Sequence, residues 1–166
     1  MRKISRVMLA GIILFSFSGC GGSGSDGPSA KWHSVEEGLS LAEKKDKTVV
    51  IDFYTSWCKW CEVMEERTFS KQEVVKYLEE NFICVRVNAE DKENRFIYMG
   101  DEYSPRSLAR KFGVKGYPSL AYLESDGELI QVVPGFIPPE TYIKVLKYFR
   151  EEHYKKDVSL RDFLEA

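Results

Sequence analysis

The chain has 166 residues, of which 43% are hydrophobic, 30% charged and 13% aromatic. That is the make-up of a globular protein, long enough for one ordinary domain and an appendage. A formal net charge of −2 advertises no basic face and argues against nucleic acid as a partner.

Residues 1–19 read as an export signal, not as part of the fold. Met1-Arg2-Lys3-Ile4-Ser5-Arg6 is a basic start, and residues 7–17 form a short apolar core followed by small residues. Eleven residues fall short of the roughly 20 that a membrane-spanning helix needs. An uncleaved anchor is the alternative. Cleavage would remove Arg2, Lys3 and Arg6 and no acid, taking the net charge from −2 to −5. Residues 20–31 follow as a flexible Gly/Ser-rich linker.

Ser34 and Glu37 form a capping box, and Val35, Leu39 and Ala42 recur at helical spacing, predicting a helix over 34–45. Residues 48–54 are a dense apolar run, which predicts a strand buried on both faces. A helix is expected from the cysteines to Arg67. Ser70 with Glu73 suggests a second capping box and a short helix, and 82–88 reads as another buried strand. Residues 89–103 show no clear period. Ser104-Pro105 is a cap followed by proline at the first helical position, opening a helix that Gly113 ends. Residues 119–124 and 129–133 flank Ser125-Asp126-Gly127 as a hairpin, and Pro138-Pro139-Glu140 starts a last long helix. The charged tail 151–166 reads as peripheral, with Leu160, Phe163 and Leu164 able to dock. The order of elements predicts an α/β domain whose mixed central sheet is covered on both faces.

Chemistry concentrates at Trp57-Cys58-Lys59-Trp60-Cys61, between a strand and a helix. Cysteines three apart share a helix face, so their sulfurs can meet in a small disulfide loop. Cys58 would sit at the helix N-terminus, where unpaired amides favour the thiolate, the nucleophile of disulfide exchange. A structural disulfide or half a zinc site are the alternatives. Zinc takes four ligands, however, and the chain offers no second CxxC and only His33 and His153. Asp52, inside an apolar strand, is costly to bury without a role; alternation could instead turn it to solvent. Trp57 and Trp60 can form an apolar rim for a docking partner, or Trp57 can pack. Lys59 either favours the thiolate or is simply solvated. Cys84 reads as a buried inert thiol, and Met64 and Phe69 as core.

At these residues the chain resembles the thioredoxin family. Asp52 precedes Cys58 by six residues, Phe112-Gly113-Val114-Lys115-Gly116-Tyr117-Pro118-Ser119 resembles the family's cis-proline segment, Asp126-Gly127-Glu128 its hairpin turn and Gly135 its late glycine. The likeness runs over about residues 32–150. It implies a thioredoxin-like three-layer α/β/α fold, with Cys58 as nucleophile, Cys61 as the resolving thiol and Asp52 as the acceptor of its proton. It further implies a cis Pro118, with the backbone of Tyr117 facing the cysteines where an extended substrate segment can pair. Arg86 aligns with a family lysine near the acid and either pairs with Asp52 or stands exposed. Trp60 replaces the proline of thioredoxin itself, and 89–103 is an insertion relative to the compact family core.

Phe17-Ser18-Gly19-Cys20 resembles a lipoprotein lipobox, which would make Cys20 a lipidated N-terminus; an ordinary cleaved signal is the alternative. Trp32 and the helix before the strand look like bacterial thioredoxin-related periplasmic proteins and the terminal domain of transmembrane thiol:disulfide interchange reductases. That likeness implies a tethered extracytoplasmic oxidoreductase without organic cofactor or metal, its redox element being the Cys58–Cys61 pair. Reduction is expected over oxidation or isomerisation. Its partners would be exported thiol proteins, apocytochromes among them, and an upstream membrane electron donor. A client-binding module with a structural disulfide, and metal delivery, remain the other readings.

Overall fold

Strand alternation decides how the chain is layered. The computed structural model describes residues 28–166; the expected export signal, Cys20 and residues 21–27 of the linker lie outside them. Along the chain come β1 (Trp32–His33), α1 (Val35–Lys45), β2 (Val49–Tyr54), α2 (Lys59–Met64, continued by a π-helical turn, Glu65–Phe69), α3 (Gln72–Asn81) and β3 (Ile83–Asn88). A small hairpin of β4 (Phe96–Tyr98) and β5 (Asp101–Tyr103) precedes α4 (Pro105–Lys111). Then follow β6 (Ser119–Leu123), β7 (Leu129–Pro134), α5 (Pro139–Arg150), a 3₁₀ turn (His153–Lys156) and α6 (Leu160–Glu165).

The five-stranded sheet has the order β1-β3-β2-β6-β7. β1 and β2 run parallel to β3, whereas β6 is antiparallel to both β2 and β7. Val49, Ile51 and Phe53 of β2 point to the face covered by Val35 and Ala42 of α1 and Leu108 and Ala109 of α4. Val50, together with Cys84, Leu120 and Tyr122, points to the opposite face, covered by Met64, Leu78, Tyr142, Val145 and Phe149. Three layers result, with the sheet buried on both sides. Helix α1 comes so close that a Cβ on Gly38 would lie 2.2 Å from Val85 Cγ2. Only glycine fits there.

Most helix starts follow their local chemistry. Ser34 Oγ accepts from Glu37 N at 3.2 Å, Ser104 Oγ from Ser107 N at 3.2 Å, and Gly113 takes φ +75 just past α4. The box expected at Ser70 does not form. Helix α2 extends through its π turn to Phe69, so Ser70 falls at its end and its hydroxyl donates to Glu66 O at 2.6 Å. Helix α3 is then capped by Lys71 with no side-chain bond.

Residues 89–103 are not wholly irregular, for β4 and β5 pair antiparallel across Met99 and Gly100, both at positive φ. Strands of three residues are too short to show a period. Tyr98 anchors the hairpin: it is buried, its hydroxyl donates to Gly127 O at 2.9 Å, and its ring meets Phe112 edge-on at 5.0 Å. The tail docks, with Phe163 against Tyr148 at 5.5 Å and the Tyr148 hydroxyl donating to Val158 O.

Candidate active site

The site lies at the C-terminal ends of β2 and β3, where α2 begins. Cys58 is the N-cap of α2, with extended backbone, and its sulfur accepts the Cys61 amide at 3.1 Å. The two cysteines are joined as a disulfide with Cα atoms 5.2 Å apart, within the ordinary range for such a bond. Cys58 is only 5% exposed, yet both cysteines line an open cleft of about 310 Å³ with Tyr54, Thr55, Ser56, Glu62, Glu65, Glu66 and Arg86. Nucleophilic attack has a way in.

Asp52 sits on the Val50 face of β2, 2% exposed, so alternation turns it inward and not to solvent. Parallel register puts Arg86 of β3 directly beside it, and Arg86 Nε donates to Asp52 Oδ2 at 3.0 Å. The other oxygen, Oδ1, is buried and has no hydrogen-bond partner among the described residues. Burial raises the Asp52 pKa from 3.8 to about 6, with the Arg86 charge opposing part of that rise. A base near neutral pH with an open lone pair results. Arg86 also donates through Nη2 to Glu65 Oε2, and its guanidinium lies 4.5 Å from the centre of the Trp32 ring. Of the two placements open to it, Arg86 takes the pair with Asp52.

The Tyr117–Pro118 bond is cis. Gly135 N donates to Pro118 O at 2.8 Å, and Ser119 Oγ donates to Gly116 O at 2.8 Å, bracing the segment on both sides. Tyr117 faces Trp57 edge-on, with ring centres 6.3 Å apart. Trp57 and Trp60 are 69% and 59% exposed, so neither is core. Trp60 lies over Phe136 at 5.8 Å, and the Trp57 indole N–H donates to Glu90. Cys58 and Cys61 each follow an exposed tryptophan in the chain, while the cleft they line is walled by Tyr54, the 55–56 segment, Arg86 and three glutamates. The exposed Lys59 ammonium pairs with Glu62 at 2.9 Å. Met64 and Phe69 are core, and Cys84 is a buried free thiol whose pKa burial pushes up to about 12.

Sequence reasoning missed Glu65, Glu90 and Thr55. Glu65 follows Cys61 by four residues and so shares its helix face, a signal that was present. Glu90 reaches Ser56 and Trp57 across 34 and 33 residues, and no local pattern announces that. Thr55 is buried with its hydroxyl unpartnered among the described residues.

Residues 35–150 match a family model described as a thioredoxin-like domain. The thiol:disulfide interchange protein DsbD of Neisseria meningitidis is 29% identical over 106 residues, which is 63% of this chain but 16% of that protein. The DsbH oxidoreductase superposes with a TM-score of 0.61 at 21% identity, over 74% of this chain and 85% of that one, a likeness of fold. A thioredoxin from Thermus thermophilus gives 0.60 at 25% identity, over 73% of this chain and 87% of its own.

Proposed function

This chain belongs to the thioredoxin-like family and carries the CxxC disulfide of its thiol–disulfide oxidoreductases, and we propose that it is a membrane-tethered, extracytoplasmic reductase of disulfides in exported proteins. The observation that carries the reading is the Cys58–Cys61 disulfide, placed at the α2 N-cap and lining an open cleft, with the exposed Trp57 and Trp60 next to it in the chain. In the reducing direction, the Cys58 thiolate attacks one sulfur of a client disulfide and expels the other, which takes up a proton. Cys61 gives its proton to Asp52 and attacks Cys58 Sγ, re-forming the 58–61 disulfide and releasing the second client thiol. Two electrons pass to the client. An upstream donor in the membrane returns them, and neither metal nor organic cofactor takes part.

The surroundings favour this direction. Glu62, Glu65 and Glu66 line the cleft with the cysteines, and the Lys59 charge is engaged by Glu62. Carboxylates beside a thiolate disfavour it, and a reduced form that is not stabilised makes its pair a reductant. Trp57, Trp60 and the Tyr117 backbone would hold the client strand. A lipid on Cys20 would hold the domain at the membrane, with exported thiol proteins, including apocytochromes, as clients.

The test is the reduction potential of the Cys58–Cys61 pair in the full-length chain. A value near the roughly −270 mV of thioredoxin supports a reductant; one near about −120 mV overturns the direction. A pair that resists reduction well below roughly −300 mV makes the disulfide structural and the chain a binding module.

A further inference from the structure

Beside the cysteine cleft lies a second one, of about 500 Å³, lined by Thr55, Trp57, Tyr117, Ser104 and Arg106, and by residues 89–92 and 95. It shares Thr55 with the first cleft, and the Trp57–Tyr117 pair borders it. Its two carboxylates are spent on their own chain. Glu90 accepts from Ser56 N, Ser56 Oγ and Trp57 Nε1, and Asp91 from the amides of Glu93 and Asn94 and from the Asn94 side chain. Those bonds hold both acids ionised, and Lys92 near Glu90 and Arg95 near Asp91 add to that, yet three cations outnumber the two anions. Lys92 and Arg106 form no ion pair among the described residues, and Arg95 makes only side-chain bonds to the carbonyl oxygens of Lys92 and Asn94. The Thr55 hydroxyl, 3% exposed and without a partner among the described residues, adds a donor where the two clefts meet.

We infer that this cleft is a specificity subsite: it takes an acidic side chain of the client polypeptide, a few residues from the client cysteine that Cys58 attacks. The two clefts meet at Thr55, three residues before Cys58, and an extended strand advances about 3.3 Å per residue, so a client side chain a few residues from the attacked cysteine falls in the second cleft. The acid then meets Lys92, Arg95 and Arg106 while the client cysteine stays over Cys58. The chain as a whole is acidic, so these cations select locally and do not steer non-specifically. The subsite is built largely from residues 89–95, which gives the insertion a task.

The inference rests on the thiol-exchange reading, and the experiment separates the two. Reduced full-length protein is mixed with single-cysteine peptides, each blocked as a mixed disulfide with uncharged mercaptoethanol. The peptides differ only in bearing Glu, Gln or Lys three residues to one or the other side of the cysteine. The expected result is a Glu-over-Lys rate ratio of about tenfold on one side, falling towards one in Lys92→Gln/Arg106→Gln and in 0.5 M salt. Equal rates for all three peptides overturn the subsite and leave the oxidoreductase standing. No reaction with any peptide overturns both. A ratio that survives the double variant, or anionic phospholipid vesicles binding the wild type and not the variant while the ratio is unchanged, assigns the cations elsewhere and overturns it as well.

Discussion

Two sulfur environments lie a short distance apart in this fold, and they differ in almost every respect that governs reactivity. Cys58 stands at the end of β2, where the chain leaves the sheet; its sulfur receives the Cys61 amide, and an open cleft borders it. Cys84 stands inside β3, two residues before Arg86, among Val50, Tyr122 and Phe149. Burial pushes its pKa up to about 12, with Glu79 adding to the rise and Lys47 opposing it. Intrinsic thiol chemistry is the same in both. What differs is whether the backbone at that point has an amide to spare for the sulfur, as a helix N-cap has and a central strand lacks.

The sharpest way to break this comparison is to exchange the roles by mutation. Cys58→Ser should abolish disulfide exchange, a loss of at least about 10³-fold in a peptide-disulfide assay, because Cys61 alone has no second thiol with which to close the 58–61 disulfide and release the client. Cys84→Ala should leave the rate within about twofold and cost about 1–2 kcal/mol in urea unfolding for the atoms removed from a packed face. A Cys84→Ala protein that lost exchange would end the distinction. Iodoacetamide on the reduced native protein at pH 8 offers an independent reading. A thiol at about 12 is ionised only about one part in 10⁴ at that pH, so Cys58 should alkylate at least about 10³-fold faster than Cys84.

Asp52 sharpens the comparison, being the one charge the sheet buries on the Cys84 face. Its folded pKa of about 6 lies above the unfolded value of 3.8, so between those values the folded state holds a proton that the unfolded state has lost. The stability contributed is present below about pH 4 and is lost as pH rises through 6, about 3 kcal/mol in all. Asp52→Asn removes that titration and leaves Arg86 its Glu65 partner. The variant should therefore gain up to about 3 kcal/mol on the wild type between pH 3.5 and pH 7, with the disulfide intact in both. The same change should slow resolution of the mixed disulfide by about tenfold or more near neutral pH, the usual scale for a lost general base. A stability difference that stays flat with pH would mean that folding leaves the Asp52 pKa unchanged.

Much of this was legible in the chain, for identifiable reasons. The CxxC, the Ser34 cap and the proline after Ser104 are local signals, and local bonds realise them, although the Glu37 side chain pairs with His33 and does not close the capping box. The burial of Asp52 could be anticipated from its apolar neighbours. Its partner could not be fixed, because strand register, which sets Arg86 beside it, is a non-local quantity. The Ser70 box misled because a π turn carries the preceding helix further than its apolar spacing suggests. The β4–β5 hairpin and the two-residue β1 are too short for any period, and they are held by tertiary anchors, Tyr98 and the pairing of Trp32 with Cys84. The second cleft joins residues 55, 57, 89–92, 95, 104, 106 and 117, a set that only the fold assembles.

The smallest expected effect tests how finely the Cys58 environment is tuned. Lys59 is the cation nearest in sequence and the obvious candidate to favour the thiolate, yet its ammonium is bound to Glu62 and largely solvated. Lys59→Gln should therefore shift the potential of the pair by no more than about 10 mV, since exposed charges are screened. Glu62→Gln acts twice: it removes an anion from the cleft and frees Lys59 to face the sulfur. Both changes favour the reduced thiolate, so the potential should rise, towards a better oxidant, by more than Lys59→Gln moves it. Measured against a glutathione couple, equal shifts from the two variants would show that the carboxylates of the cleft do not set the redox poise, and that the backbone amides at the α2 N-cap do so alone.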